Sequence, residues 1–240
     1  STGFMRPRQE SFLTPFDPYE VNNHFTEGNS WQYSFYVPQD ISGQMKLLGG
    51  KEKLEAFLDS LFHVSSKLTG HKQPDITGMI GQYVHGNEPS HQIAYEYNYA
   101  GQPWKAQSML RRIMTEMYRD LPDGLAGNED CGQMSAWYVL SAMGIYAVCP
   151  GSDQYAIGSP ALDKAVIHLE NGKTFTITAG NNSAANVYIQ SGKLNNVNYS
   201  KSYITYSDIA TGGVLDFTMG ASPNINWGSA DKEVPVSKIE

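Results

Sequence analysis

The stretch Trp137-Tyr138-Val139-Leu140-Ser141-Ala142-Met143-Gly144-Ile145-Tyr146-Ala147-Val148-Cys149-Pro150-Gly151-Ser152 divides the sequence into two kinds of pattern. In its first part Trp137, Leu140, Ala142, Met143 and Ile145 recur at helical spacing, and Gly144 is the residue type at which helices commonly stop. Beyond Pro150-Gly151-Ser152 that spacing ends. Upstream, Leu54, Phe57, Leu58, Leu61 and Phe62 form one face of a helix beginning near Lys51. A second helix, opened by Pro103, carries Trp104, Met109, Leu110, Ile113 and Met117. Shorter helices are predicted over 31–37 and 91–99. Downstream, strands are predicted over 165–169, 174–178, 186–189, 201–205 and 214–219. Asn171-Gly172 reads as a two-residue hairpin turn, and Ser191-Gly192 and Gly212-Gly213 punctuate the rest. No repeat of solenoid length is present.

The fold class is therefore α+β, helical over 1–150 and antiparallel β over 151–240. So few helices cannot close a ring of helix pairs, and the strands make only half a sandwich. Such layers would leave a large apolar face uncovered, so the reading expects a fragment or a chain that pairs with the missing elements.

Composition narrows the function classes. Of 240 residues, 40% are hydrophobic, 12% aromatic and only 17% charged, which is the make-up of an ordered globular chain. The net charge of -7, without a Lys/Arg-rich run, argues against nucleic acid and anionic membranes as partners. No apolar stretch reaches the ~20 residues that span a bilayer, and 1–8 hold no signal-like apolar core. Cys131 and Cys149 share no ligand or redox spacing, and each is read as a buried free thiol. Asn181-Asn182-Ser183 and Asn198-Tyr199-Ser200 match the glycosylation sequon, a pattern too short to decide anything.

Three loops can carry chemistry. In Thr26-Glu27-Gly28-Asn29-Ser30-Trp31-Gln32-Tyr33, a carboxylic acid stands beside amides and an indole. Such a set can protonate a leaving oxygen, bind hydroxyls and offer a flat face to a sugar ring. The competing reading is a helix start, with Glu27 favoured by the dipole and Trp31 in the core. His85-Gly86-Asn87-Glu88-Pro89-Ser90-His91 brings an amide, a carboxylate and two imidazoles together; its oxygens suit Ca²⁺ better than Zn²⁺. It too can be a helix start with structural histidines. Gly127-Asn128-Glu129-Asp130-Cys131-Gly132 precedes an apolar helix and can present Asp130 as a general base, or else serve as a cap at Asn128. Together the three fit a glycosidase better than any one does alone. Glycoside hydrolysis needs two carboxyls, about 6.5–9.5 Å apart for inversion and about 5 Å for retention, and sequence spacing gives no such distance.

These loops, together with Gly3-Phe4-Met5-Arg6-Pro7-Arg8, Trp137-Tyr138 and the segment Lys201-Ser202-Tyr203-Ile204-Thr205, resemble glycoside hydrolase family 92 from end to end. This is a family of calcium-dependent exo-α-mannosidases abundant in gut Bacteroidetes. The resemblance implies the C-terminal third of such an enzyme: part of an (α/α)6 helical toroid, then strands of a sandwich, completed by a missing N-terminal part. It implies inverting hydrolysis of terminal mannose from N-glycan-type glycans, in the periplasm or outside the cell. Glu27 corresponds to the general acid and Asp130 to the general base. Asn128 stands where many members carry an assisting Asp; an amide there can orient water but not take its proton. Asn87 and Glu88 match ligands of Ca²⁺, and Trp31, Gln32, His85 and His91 match mannose contacts. A non-catalytic mannose-binding module and a fragment inactive without its N-terminal portion are the competing expectations.

Overall fold

The computed structural model describes residues 3–7 and 15–237. Arg8, at the end of the first quoted motif, lies outside the described residues.

The helical half opens with the short strand β1 (Glu20–Val21), then α1 (Ser30–Phe35), α2 (Ile41–Leu48) and α3 (Lys51–His63). Strand β2 (Thr69–Gly70) and the hairpin β3 (Met79–Ile80) with β4 (Tyr83–Val84) follow. Helices α4 (Glu96–Tyr99), α5 (Pro103–Glu116) and α6 (Gln133–Met143) complete it. The predicted face of α3 is buried at Leu54, Leu58, Leu61 and Phe62, with Phe57 packed beside it. Pro103 begins α5 as expected, and left-handed Gly144 ends α6.

Three helical expectations need correction. Ile145 is not helical but starts β5 (Ile145–Tyr146), because the chain reverses at Gly144. The helix expected over 91–99 is a 3₁₀ turn, Ile93–Tyr95, leading into one turn of α4. Helix α2 lies outside the expected helices although Ile41, Met45 and Leu48 stand at helical spacing; Ile41 is buried and Met45 and Leu48 pack against the helical core.

In the β half, β6 (Gln154–Ile157) pairs with β5 and with β11 (Tyr203–Thr205) in an antiparallel three-stranded sheet. A second sheet contains β7 (Lys164–His168), β8 (Thr174–Gly180), β9 (Tyr188–Leu194), β10 (Val197–Asn198) and β12 (Gly213–Gly220), in the order β10-β9-β12-β8-β7. Helix α7 (Tyr206–Ala210), capped by Thr205, precedes β12. The sheet is mixed rather than purely antiparallel: β12 inserts between β8 and β9 and runs parallel to β8. That arrangement is available because a long connection separates the two strands.

The turn at 170–172 also differs from the reading. The Leu169 N–H donates to the Lys173 carbonyl at 2.9 Å, leaving a three-residue loop in which only Gly172 is left-handed (φ 79°). A two-residue turn of the expected kind would require positive φ at Asn171 as well. Ser191-Gly192 is no turn but mid-strand β9. A Cβ on Gly192 would lie 2.8 Å from the Tyr199 carbonyl oxygen, so glycine there permits close backbone approach. Cys131 and Cys149 are free, but Cys131 is exposed and Cys149 half-buried, not the buried thiols expected.

Two apolar clusters result. One gathers Phe35, Leu54, Leu58, Leu61, Tyr83, Tyr95, Leu110 and Trp137; the other Ile145, Phe175, Ile177, Ile189, Leu215, Phe217 and Met219. Buried amides join them. The Asn98 side chain donates to the carbonyls of Ile157 (2.8 Å) and Ser202 (2.9 Å), and Gln107 accepts from the Ile189 N–H (2.9 Å). These bonds fix the helical core, and the loops standing on it, to the sheets.

Candidate active site

Glu27 sits one residue before the buried glycine that leads into the cap of α1, in the left-handed region (φ 50°). Asn29 caps the helix through a reciprocal pair: its oxygen accepts from the Trp31 N–H (3.0 Å), while Gln32 accepts from the Asn29 N–H (2.7 Å). The Asn29 amide also donates to Gln82 (2.9 Å), and Gln82 in turn donates to the Ser65 carbonyl (2.7 Å). The first loop is thereby pinned to the β3–β4 hairpin.

The second loop leaves β4 through buried His85 and enters a 3₁₀ turn at Glu88–Ser90. Its Asn87 amide donates to the Glu27 carbonyl at 2.8 Å, joining the first two loops at the acid itself. The third loop has three consecutive left-handed residues, Asp130 (φ 49°), Cys131 (φ 59°) and Gly132 (φ 90°), immediately before α6. Such conformations persist only where the surroundings over-determine them, and they cluster at functional sites. Glu129 stabilises the turn by accepting from the Ser135 N–H (3.1 Å) and hydroxyl (2.8 Å).

The loops meet at Glu88. Burial above all, then the nearby Asp130 and the negative charge of Glu27, raise its carboxyl above the usual carboxylate range, against a backbone hydrogen bond that lowers it. The charges of Asp130 and Glu27, from the other two loops, thus act on Glu88, with Asp130 exposed and Glu27 and Glu88 half-buried. Asn128 is exposed and reaches Asp75 at 3.5 Å, the weak limit of a hydrogen bond.

The four residues expected to contact sugar are placed differently. Trp31, Gln32, His85 and His91 are only 5%, 3%, 0% and 1% exposed. Trp31 packs edge-on against Phe4, at 4.6 Å between ring centroids. Gln32 is committed to the cap of α1 and to the Gln82 carbonyl. The His85 nitrogens meet Tyr83 (2.7 Å) and Tyr118 (2.6 Å). His91 meets the His85 carbonyl (2.9 Å) and Gln133 (3.1 Å), and burial pulls its pKa down to about 4. In the chain as folded these side chains buttress the loops and do not line a surface open to a ligand. Sequence reading missed the partners Gln82, Tyr118 and Gln133. Gln133 directly follows the quoted loop that ends at Gly132, but nothing in sequence spacing brings Gln82 or Tyr118 to the loops.

Among the described residues no group of three or more His, Cys, Asp or Glu side chains is placed to hold a metal ion. Hard-cation chemistry still suits the donors present. Asn87 gives its N–H to the Glu27 carbonyl, which leaves its amide oxygen free to accept, Glu88 follows it in the chain, and Ca²⁺ takes amide, carboxylate, water and hydroxyl oxygens alike. A cation would also relieve the crowding of like charges around Glu88.

Comparison with known proteins gives this geometry a family. The glycosyl hydrolase family 92 catalytic domain profile matches residues 1–221. A protein of Arthroderma benhamiae described as an uncharacterized secreted glycosidase is 32% identical over 239 residues, covering 98% of this chain and 29% of that protein. The solved family GH92 alpha-mannosidase of Bacteroides thetaiotaomicron is 43% identical, with a TM-score of 0.87 over 97% of this chain and 30% of its own. A family GH92 inverting mannosidase of the same organism is 40% identical, with a TM-score of 0.81 over 93% of this chain and 31% of its own. The chain therefore spans under a third of the length of each of these relatives. With a mixed helix-and-sheet fold and a profile match over nearly its whole length, the chain belongs to glycosyl hydrolase family 92.

Proposed function

We propose that this chain carries the acid and base of an inverting exo-α-mannosidase that removes terminal mannose from N-glycan-type glycans with the help of Ca²⁺. The observation that supports this most is the Asn87 amide bonded to the Glu27 carbonyl at 2.8 Å, with the charges of Glu27 and Asp130 acting on Glu88 from the other two loops. The mannosidase descriptions of two relatives, one of them inverting, supply the sugar and the stereochemistry.

In this reading Glu27, as its carboxylic acid, gives its proton to the departing glycosidic oxygen. Asp130, as its carboxylate, takes a proton from a water that attacks the anomeric carbon from the opposite face. Bond cleavage and bond formation thus balance: one proton enters at the leaving group, one leaves the water for Asp130, the water oxygen stays on the anomeric carbon, and the configuration inverts. Asn128 orients that water without accepting its proton. Asn87 and Glu88 hold Ca²⁺, which supplies a hard centre for sugar hydroxyls. The helices α1 to α6 form part of an (α/α)6 toroid and the later strands part of a sandwich. The remaining portion of a family 92 enzyme, which the relatives contain and this sequence does not span, contributes the surfaces that grip the sugar. The burial of Trp31, Gln32, His85 and His91 supports that division of labour. A periplasmic or secreted location follows the secreted description of the fungal relative.

The test is mannose release from α-linked mannobioses by this chain, alone and co-expressed with the N-terminal portion of a family 92 relative, with Ca²⁺ or with EDTA. Calcium-dependent release in which β-mannose appears first in the proton NMR spectrum is the expected result. Release that is unchanged by EDTA removes the calcium assignment, and α-mannose as first product removes inversion. Binding of mannose without turnover in either form would leave a sugar-binding module.

A further inference from the structure

Tyr118 lies two residues past the end of α5, where it forms an isolated antiparallel bridge with Leu125. Its hydroxyl is 2.6 Å from His85 Nε2 and donates to the Met134 carbonyl at 3.0 Å. A phenol has one proton. Since that proton goes to Met134, the proton in the other contact comes from the imidazole, so His85 carries its hydrogen on Nε2. Its Nδ1 then accepts from Tyr83, at 2.7 Å. The ring of Tyr118 is fixed in turn by stacking on Trp137, 3° from parallel, whose indole N–H donates to the His91 carbonyl at 2.9 Å.

Met134 stands in the first turn of α6. The amides of Gln133 and Met134 donate to the Asp130 (3.2 Å) and Glu129 (3.3 Å) carbonyls, closing the turn that holds Asp130 and Cys131 left-handed. The phenol of Tyr118 therefore ties the hairpin that leads to Glu88 to the backbone that presents Asp130. The Tyr83–His85 bond is different: both residues belong to the same hairpin, so it spans no loops.

We propose that Tyr118 is a positioning residue, holding the Asp130 loop at the distance from the Asn87–Glu88 loop that turnover requires. Its effect on turnover rests on the mannosidase reading above; its effect on the loop does not.

The test compares Tyr118→Phe with Tyr83→Phe, each of which removes one hydroxyl partner of His85. Two readouts are taken: kcat and KM for mannose release in the form that shows activity, and amide hydrogen exchange across 127–134 in this chain. Tyr118→Phe is expected to lower kcat on the order of 10- to 100-fold while KM stays within about twofold, the signature of misplaced reacting groups. Exchange at Gln133 and Met134 should quicken. Tyr83→Phe should lose thermal stability to a similar degree yet keep kcat and that exchange pattern. Equal loss of kcat in the two variants, or unchanged exchange at Gln133 and Met134 in Tyr118→Phe, overturns the proposal. If no form of the protein releases mannose but exchange still separates the variants, the mannosidase reading falls and the positioning of the loop stands.

Discussion

In the five-stranded sheet, Phe175, Ile177 and Ala179 of β8 lie inward with Leu215, Phe217 and Met219 of β12, while Thr174, Thr176, Thr178, Asp216 and Thr218 take the other face. In the helical half, Asn29, Gln82, His85, His91, Gln92 and Asn98 are all buried, and each makes at least one side-chain hydrogen bond with a partner distant in sequence. The sheet is ordered by alternation and apolar burial, which are local in sequence and indifferent to which apolar residue is used. The helical half adds a web of side-chain hydrogen bonds that connects particular atoms across tens of residues. Such a web specifies geometry, and it is costly wherever one member is left unpaired. A site assembled from three loops far apart in sequence requires the second kind of order.

That contrast can be broken most severely at the carboxyls. Glu27→Gln should cut mannose release on the order of 10²- to 10⁴-fold, because the amide cannot protonate a leaving group. Asp216→Asn, which alters a carboxyl hydrogen-bonded to Thr178 on the outer face of the sheet, should change release by no more than about twofold. Steady-state assays of the two side by side would break the comparison if their losses matched.

Core truncation is the next largest effect. Leu58→Ala in α3 and Ile177→Ala in β8 each remove a fully or nearly fully buried side chain and should each cost about 2–5 kcal/mol in urea unfolding. The comparison sharpens if Leu58→Ala also speeds amide exchange in the three loops while Ile177→Ala does not.

A smaller, pH-dependent effect belongs to Glu96. It is fully buried in α4, and burial pushes its pKa well above the ordinary 4.5 against the opposing effect of the Gln92 side chain. The folded form keeps the proton where the unfolded chain loses it. Below the unfolded value both states are neutral and nothing is lost; as pH rises past it, ionisation of the unfolded chain lowers stability until the folded group titrates too. Glu96→Gln removes this dependence. The gain in urea midpoint over the unaltered chain should therefore widen from about pH 4 to about pH 8. A constant difference would show that Glu96 is not held neutral.

The smallest effect is at the hairpin between β7 and β8. Gly172 is left-handed with open space around the position of a Cβ, so Gly172→Ala should cost about 1 kcal/mol, through backbone strain alone, with no change in mannose release.

How much of this was legible in the sequence divides along the same line. The apolar face of α3, the Pro103 start of α5, the Gly144 stop of α6 and strands β7, β8 and β12 follow from periodicity and turn residues, and they stand close to where they were expected. The parallel pairing of β12 with β8 was not legible, since strand direction depends on a crossover and not on either strand's pattern. Of the site, the three acid-bearing loops were visible from their residue types. The burial of Trp31, Gln32, His85 and His91 was not, because the same side chains serve a sugar or a core equally well until their partners are known. Those partners, Gln82, Tyr118 and Gln133, are set by tertiary contact.

The most direct test of the central claim is a double-mutant comparison at Glu27 and Asp130. Release of mannose would be measured for Glu27→Gln, Asp130→Asn and the pair together, in the form of the protein that shows activity. Two groups that serve one reaction are expected to be strongly non-additive, with the double variant little slower than the worse single one. Losses that simply multiply, or singles that keep full activity, would show that these loops do not form one catalytic centre.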